Sequence, residues 1–136
     1  MHGLHLTADL RDCPIGSALM TDIATLRERC LSAALAAGLQ PVAELFHRFA
    51  PAPQARAGEL VGITGVVLLA ESHLAVHTWP EIGGVTLDVY VCNVGADNSQ
   101  RAHALLGALI DAFAPRSVER HALQRGESGR ATRMLQ

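Results

Sequence analysis

The chain has 136 residues and a mass of 14.4 kDa, which suits one compact domain and is too small for two separate cores. Hydrophobic residues make up 49% of it and charged residues 18%, so the composition is that of a globular protein. The formal charge of -2 leaves no basic excess to neutralise a phosphate backbone, which argues against a nucleic acid partner.

Hydrophobic periodicity predicts elements in the order β-α-β-β-β-β-α-β. Alternating residues over 3–10 predict a first strand, and apolar residues at helical intervals predict one long helix over 17–37. The later elements are strands at 42–49, 61–70, 73–79, 84–92 and 117–123 and a helix at 99–113. We expect a loop at 50–61 and a polar, frayed tail at 124–136. This order predicts one α+β domain over 1–136, a two-layer sandwich with helices on one face of a mainly antiparallel sheet.

The absence of lysine and the small number of cysteines limit which cofactors and metal sites the chain can hold. No lysine occurs, so pyridoxal phosphate cannot be held as a Schiff base and any electron sink must come from elsewhere. The three cysteines, Cys13, Cys30 and Cys92, are widely spaced and lack the paired CxxC spacing of zinc or thioredoxin-like sites. We expect free thiols in a reducing cytoplasm, no signal peptide, and no membrane contact because no apolar run approaches ~20 residues.

Reactive side chains are densest in the segment ESHLAVHTWPE at 71–81. If 73–78 is extended, His73 and His77 share one face, and Ser72 must sit at a turn to approach His77. A zinc site made of His73, His77 and Cys92 has suitable ligand types. However, the i, i+4 spacing of the two histidines is a helical ligand spacing and the surrounding residues favour a strand, so we expect no metal.

A longer string, VVLLAESHLAVHTWPE at 66–81 with FHRF at 46–49 and GITG at 62–65, resembles the prokaryotic S-adenosylmethionine decarboxylase proenzymes. The resemblance runs from about Leu4 to Glu119. It implies that Ser72 attacks the carbonyl carbon of Glu71 and that the chain then splits into a β chain, 1–71, and an α chain, 72–136. The new end at Ser72 becomes a pyruvoyl group. This covalent cofactor is the electron sink that a chain without lysine otherwise lacks.

The resemblance also implies roles for further residues. His77 would remove the Cα proton of Ser72, since imidazole is largely neutral near pH 7. Thr64 stands where a serine is common, and its hydroxyl would stabilise the oxyanion of ester formation. Cys92 would protonate the decarboxylated substrate, because a thiol is ordinarily protonated at neutral pH. For substrate binding, Phe49 matches an aromatic residue that stacks on adenine, and Glu81 matches an acid that binds ribose hydroxyls.

The sequence departs from the family pattern near the expected site. The segment between Phe49 and Gly62 is longer than usual, CNVGADN at 92–98 replaces a glycine, acidic and proline pattern, and Ile82 replaces an aromatic residue. These changes bear on the substrate. The main expectation is S-adenosylmethionine, for polyamine (spermidine) biosynthesis. The alternative is arginine or ornithine, whose cationic groups Asp88, Glu81 and Glu59 would bind.

Two further expectations concern assembly and activity. The resemblance implies a homodimer of cleaved protomers in which open sheet faces meet and residues such as Phe49 enter the neighbour's site. The competing hypothesis is a relative that never cleaves and serves as a binding subunit. The intact mass of the chain discriminates between the two.

Overall fold

The computed structural model describes residues 2–51, 53–54 and 59–126. The elements within these ranges follow the predicted order, apart from the first helix. They are β1 (Gly3–Arg11), α1 (Ala18–Thr21), α2 (Ile23–Ala36), β2 (Pro41–Arg48), β3 (Ile63–Leu69), β4 (Ser72–Trp79), a 3₁₀ turn (Pro80–Ile82), β5 (Gly84–Cys92), α3 (Ser99–Phe113) and β6 (Ser117–Arg125).

The strands form one sheet in the order β2-β3-β4-β5-β1-β6, and every neighbouring pair is antiparallel. Helices α2 and α3 lie on one face of this sheet. Alternate residues of the four central strands are buried against the helices, as their period of two requires. The predicted α+β sandwich is therefore confirmed. The largest fully buried side chains on the sheet and helices include Leu6, Ile63, Leu74, Leu87, Leu105, Leu109 and Phe113.

The prediction of one long helix over 17–37 is wrong, because the helix is interrupted at Asp22 and the segment forms two helices, α1 and α2. Asp22 has an extended backbone and begins α2, where its carboxylate accepts hydrogen bonds from the Thr25 N–H at 3.0 Å and from the Thr25 hydroxyl. Buried residues on both sides of the break keep helical spacing, so periodicity does not reveal it. The break leaves the Met20 carbonyl to accept a hydrogen bond from the Thr78 hydroxyl at 2.8 Å.

The end of the last strand also differs from the prediction. Strand β6 ends at Arg125, so Gln124 and Arg125 belong to a strand and not to the predicted tail. The rest of that tail, 127–136, lies outside the described residues, as do 52 and 55–58 of the predicted loop. No helix in the described part of the chain is long and apolar enough to cross a membrane.

The sheet face turned away from the helices is open. Strand register aligns its side chains in transverse rows, since directly paired residues point to the same side. One row is polar and consists of His47, Thr64, His77, Thr86, Asp9 and Glu119. The β2–β3 side of this face is apolar instead: Leu45 is 70% exposed and Leu68 is 46% exposed.

Candidate active site

The β3–β4 turn carries the expected cleavage position. Leu69 pairs directly with Ser72, so Ala70 and Glu71 form the tight connection between the strands. Glu71 has a φ of 57°, in the left-handed region where a residue with a Cβ pays roughly 1–2 kcal/mol. The turn therefore holds the backbone before Ser72 in a strained conformation.

Ser72 and Cys92 meet at this turn because β4 begins where β5 ends. Ser72 is buried, with 8% of its surface exposed, and its Oγ accepts a hydrogen bond from the Cys92 N–H at 3.3 Å. Cys92 is half-buried. We call Glu71, Ser72 and Cys92 the cleavage end of the site.

A second group lies at the opposite end of β4. Thr64 and His77 are direct partners across β3 and β4, and Thr64 Oγ1 lies 3.1 Å from His77 Nδ1, a hydrogen bond in which either atom can donate. The His77 ring stacks on Trp79, with ring centroids 5.8 Å apart, and Trp79 in turn contacts Phe49 at 6.1 Å. One edge of the imidazole is thereby fixed by a hydroxyl and one face by an indole.

Phe49 and Glu81 are brought together beside this group. They line one cavity of about 250 Å³, together with Glu59 and the chain from Leu60 to Gly62. The Phe49 N–H donates to the Gly62 carbonyl at 2.9 Å, which holds the chain after β2 against β3. We call Thr64, His77, Trp79, Phe49 and Glu81 the imidazole end.

Gly62 and Thr78 fasten the imidazole end to the fold. A Cβ at Gly62 would lie 1.9 Å from the Thr78 carbonyl oxygen, so only glycine permits this approach of the two strands. Thr78 is fully buried, and its hydroxyl accepts from the Ile63 N–H at 2.9 Å while donating to the Met20 carbonyl. Thr78 therefore ties β3, β4 and α1 together next to His77. This role was not expected from the sequence, although Thr78 continues the alternation of Leu74 and Val76, which indicates burial.

The structure does not bring Ser72 to His77 within one chain, although the sequence analysis expected a turn to do so. Five residue-to-residue steps along the extended strand separate them by about 16 Å. Alternation also places Ser72 on the helix-covered face with Leu74 and Val76, whereas His77 lies on the open face. The candidate site residues therefore fall into two groups, one at each end of β4.

Asp88 lies between the two groups, in the middle of the open face. Its Oδ1 is 3.1 Å from His5 Nε2, so this carboxylate already has a partner. His73 stacks on Tyr90, with ring centroids 5.6 Å apart. The three ligands considered for zinc, His73, His77 and Cys92, do not converge, and the described residues contain no cluster of three or more suited to a metal ion.

The other two cysteines are part of the core. Cys13 and Cys30 are buried free thiols, and burial raises the pKa of Cys13 above its usual value and that of Cys30 to about 12. Both thiols therefore stay neutral.

The segment after Cys92 contains polar contacts that the sequence analysis did not identify. Asn98 Nδ2 donates to the Cys92 carbonyl at 2.8 Å, and the Asn98 N–H donates to Asn93 Oδ1 at 2.7 Å. The sequence showed only that this segment departs from the family pattern. The departure from the family pattern directly after Cys92 was therefore the signal in the sequence that could have pointed to these contacts.

The fold and both ends can be compared with known proteins. A model of the family described as S-adenosylmethionine decarboxylase matches residues 4–126, which is most of the chain. The chain belongs to the S-adenosylmethionine decarboxylase family. This confirms the resemblance found in the ESHLAVHTWPE segment.

Individual relatives agree with this assignment. The chain is 38% identical over 103 residues to the S-adenosylmethionine decarboxylase proenzyme of Pseudomonas paraeruginosa, covering 76% of this chain and 58% of the relative. It is also 38% identical over 90 residues to the proenzyme of Pelotomaculum thermopropionicum, covering 66% and 63%. The chain thus spans less than two thirds of the length of these curated relatives.

A solved structure matches over more of its length. The crystal structure of the adenosylmethionine decarboxylase from Aquifex aeolicus superposes with a TM-score of 0.75 at 31% identity. The match covers 91% of this chain and 90% of the other. The six-stranded sheet with its helices is therefore shared with a member of the family.

Proposed function

We propose that this protein is a self-processing, pyruvoyl-dependent decarboxylase that acts on S-adenosylmethionine and supplies the decarboxylated product for polyamine (spermidine) biosynthesis. The observation that carries the proposal is the left-handed backbone of Glu71 directly before the buried hydroxyl of Ser72. Breaking the Glu71–Ser72 peptide bond relieves this strain. Family membership and the Thr64–His77 pair support the same conclusion.

The first step is an exchange of amide for ester at the turn. Ser72 Oγ attacks the carbonyl carbon of Glu71, the peptide C–N bond breaks, and Glu71 becomes esterified to the serine side chain. The Thr64 hydroxyl serves this step by donating to the oxyanion that develops on the Glu71 carbonyl. The Cys92 N–H, which already donates to Ser72 Oγ, holds the attacking oxygen in place.

The second step is elimination. His77 removes the Cα proton of Ser72, the Cβ–Oγ bond breaks, and the oxygen leaves with Glu71 as a carboxylate. When Nδ1–H donates to Thr64, Nε2 carries the lone pair that accepts this proton. Rearrangement of the residue left at position 72, with uptake of water and release of ammonia, ends the 72–136 chain in a pyruvoyl group.

In decarboxylation the pyruvoyl group supplies an electron sink for a substrate bearing an α-amino carboxylate. Proton delivery and substrate binding are carried out by side chains. Cys92 delivers a proton to the carbon that has lost carbon dioxide, and the contact of its backbone N–H with Ser72 supports this role by placing the residue at the cleavage position. Phe49 stacks on the adenine while Glu81 accepts from ribose hydroxyls, and the cavity they share supports this assignment.

The separation of the two ends supports a homodimer. Within one chain Ser72 is about 16 Å from His77 along β4, too far for proton transfer. We propose that a second copy packs its open face on the first, so that the cleavage end of one protomer meets the imidazole end of its partner. The exposed Leu45 and Leu68 would be buried in this contact. A stable monomer of ~14 kDa in light scattering at micromolar concentration would contradict the dimer.

The preference for S-adenosylmethionine over arginine or ornithine rests on the aromatic side chain in the cavity, since the Glu59 and Glu81 carboxylates there suit either substrate class. The Phe49 ring lines the cavity with Glu81 and packs on Trp79, which suits a nucleoside. Asp88, which would bind a guanidinium, is instead paired with His5. The free thiols of Cys13, Cys30 and Cys92 are the basis for placing the protein in the cytoplasm.

The first test is self-cleavage. Purified protein should yield two fragments of similar mass on denaturing gels, and mass spectrometry should place the break between Glu71 and Ser72. The matched control S72A should remain a single chain. A wild-type chain that stays intact on prolonged incubation would overturn the enzyme proposal in favour of a binding homologue.

The second test is substrate choice. Carbon dioxide release from the cleaved protein should be measured with S-adenosylmethionine, arginine and ornithine offered separately. We expect turnover of S-adenosylmethionine alone. Turnover of either amino acid without S-adenosylmethionine would overturn the substrate assignment and leave the pyruvoyl mechanism standing.

A further inference from the structure

We propose that Asn98 is a positioning residue that fixes the Cys92 main chain, and through it directs the Cys92 thiol to the correct carbon of the substrate. The proposal rests on the function proposed above. Asn98 lies at the start of α3, in the segment where the sequence departs from the family pattern, so the motif itself assigns it no role.

The Cys92 backbone is held on both sides. Its N–H donates to Ser72 Oγ at 3.3 Å, and its carbonyl accepts from Asn98 Nδ2 at 2.8 Å. Self-cleavage carries Ser72 Oγ away with Glu71, so the first of these contacts is lost in the mature enzyme. The Asn98 contact is the one of the two that remains to orient Cys92 during turnover.

The orientation of the Asn98 amide is also fixed. Arg101 Nη1 donates to Asn98 Oδ1 at 2.7 Å, which leaves the amide nitrogen to face the Cys92 carbonyl. The Asn98 N–H is held by Asn93 Oδ1, and the Asn93 N–H donates to the His2 carbonyl at 2.8 Å. Cys92 is thereby connected to the first turn of α3 and to the chain before β1.

Asn98 does not perform the usual task of its position. An asparagine that begins a helix commonly accepts a hydrogen bond from an N–H of the first turn. The Asn98 side chain makes no such bond, and the Ser99 N–H donates instead to Asp97 Oδ1 at 2.9 Å. The Asn98 amide therefore makes no capping hydrogen bond to α3, and its side-chain hydrogen bonds go to Cys92 and Arg101.

Correct positioning of the thiol decides where the proton goes. After carbon dioxide leaves, a proton on the former α-carbon of the substrate gives the amine product and restores the pyruvoyl group. A proton on the pyruvoyl-derived carbon gives, after uptake of one water, an aldehyde from the substrate and an alanine at the start of 72–136. The second outcome inactivates the chain and is visible in its mass.

The experiment compares Asn98→Asp with Asp97→Ala. N98D keeps the size of the side chain and an oxygen for Arg101 but replaces the donor to Cys92 with an acceptor. We expect the fraction of turnovers that end in alanine to rise about tenfold, as loss of one well-placed hydrogen bond predicts. D97A removes the contact to Ser99 but none to Cys92, so its fraction should match the wild type even if its Tm falls.

A second readout needs no mature enzyme. In the uncleavable S72A background with cysteine labelled at its carbonyl carbon by ¹³C, the Cys92 resonance should move upfield in N98D and stay unchanged in D97A. C92A in the same background assigns the signal among the three cysteines. If N98D does not fold, Arg101→Gln replaces it, because Arg101 is exposed and its loss frees the Asn98 amide to rotate. For R101Q we expect about a threefold rise in the alanine fraction.

The outcomes separate the two proposals. Suppose that the wild-type protein cleaves itself and decarboxylates its substrate, but N98D or R101Q shows the same fraction of alanine-forming turnovers as the wild type. This result overturns the positioning role of Asn98 and leaves the proposed function standing. An equal rise of the alanine-forming fraction in D97A also overturns the positioning role, because a general loss of order in the segment after Cys92 would then explain the effect. Wild-type protein that neither cleaves nor turns over overturns the proposed function and the positioning role with it.

Discussion

The two ends of β4 are built in different ways. At the cleavage end the structure relies on the main chain: a left-handed Glu71, and a Cys92 N–H that donates to Ser72. At the imidazole end it relies on side chains that meet across strands, with Thr64 bonded to His77 and Trp79 stacked on its ring. The strained backbone and the imidazole therefore lie at opposite ends of one strand, and the proposed function requires a second copy to bring them together.

The largest expected effect concerns this separation. S72A and H77A should each fail to cleave when expressed alone, because S72A lacks the attacking hydroxyl and H77A lacks the base. Coexpressed with different tags, they should form mixed dimers in which one site has an intact Ser72 from one chain and an intact His77 from its partner. With random pairing, about half of the H77A chains should be cleaved, as resolved by mass. H77A that stays intact in isolated mixed dimers would contradict the shared site.

Cys92 tests the cleavage end. C92A should still cleave, because the backbone N–H that contacts Ser72 remains. Its decarboxylase activity should fall by roughly 10²–10⁴, the usual contribution of a positioned proton donor. Gel analysis and carbon dioxide release from the same preparation measure both properties. Normal turnover by C92A would make Cys92 a packing residue.

Thr64 tests the imidazole end. T64V keeps the branched shape but removes the hydroxyl, so the cleavage rate should fall by about 10²–10³, as for loss of one oxyanion donor. T64S is the matched control and should cleave at nearly the wild-type rate. Rates come from densitometry of fresh precursor over time. Equal rates for T64V and T64S would remove Thr64 from the processing step.

Phe49 tests substrate recognition at the imidazole end. F49A removes a stacking platform worth roughly 1–3 kcal/mol, so kcat/KM for S-adenosylmethionine should fall about 5- to 150-fold. Cleavage of the precursor should be unaffected, since the Thr64–His77 hydrogen bond does not involve Phe49, whose ring packs on Trp79. If neutralising Asp88 proves more damaging than F49A, the site is built for a cationic amino acid.

The smallest effect concerns the helix break that supports the imidazole end. Hydrogen bonds from Thr25 lower the pKa of Asp22, so its carboxylate stabilises the fold at neutral pH and this contribution is lost as pH falls through that lowered pKa. D22A should therefore have a slightly lower Tm than wild type at pH 7, and the difference should narrow in acid. D22N keeps the helix-starting side chain and should show little of this pH dependence.

The family and the candidate site residues follow from the sequence, but the arrangement of those residues does not. The segment at 66–81, with FHRF at 46–49 and GITG at 62–65, indicated the family that the comparisons confirm. Hydrophobic alternation predicted every strand, with boundaries shifted by one to a few residues. The break at Asp22 was missed because both short helices bury side chains at a common spacing. Thr78 and Asn98 were missed because their partners lie in other elements.

The sequence by itself determined the elements, the fold class, the absence of lysine and the string of reactive residues, because these depend on residue type and local spacing. Only the tertiary structure decided which of those residues meet. Register places Thr64 against His77, and the antiparallel return of β5 places Cys92 against Ser72. Contacts of this kind depend on strand pairing between distant segments, which no local pattern encodes.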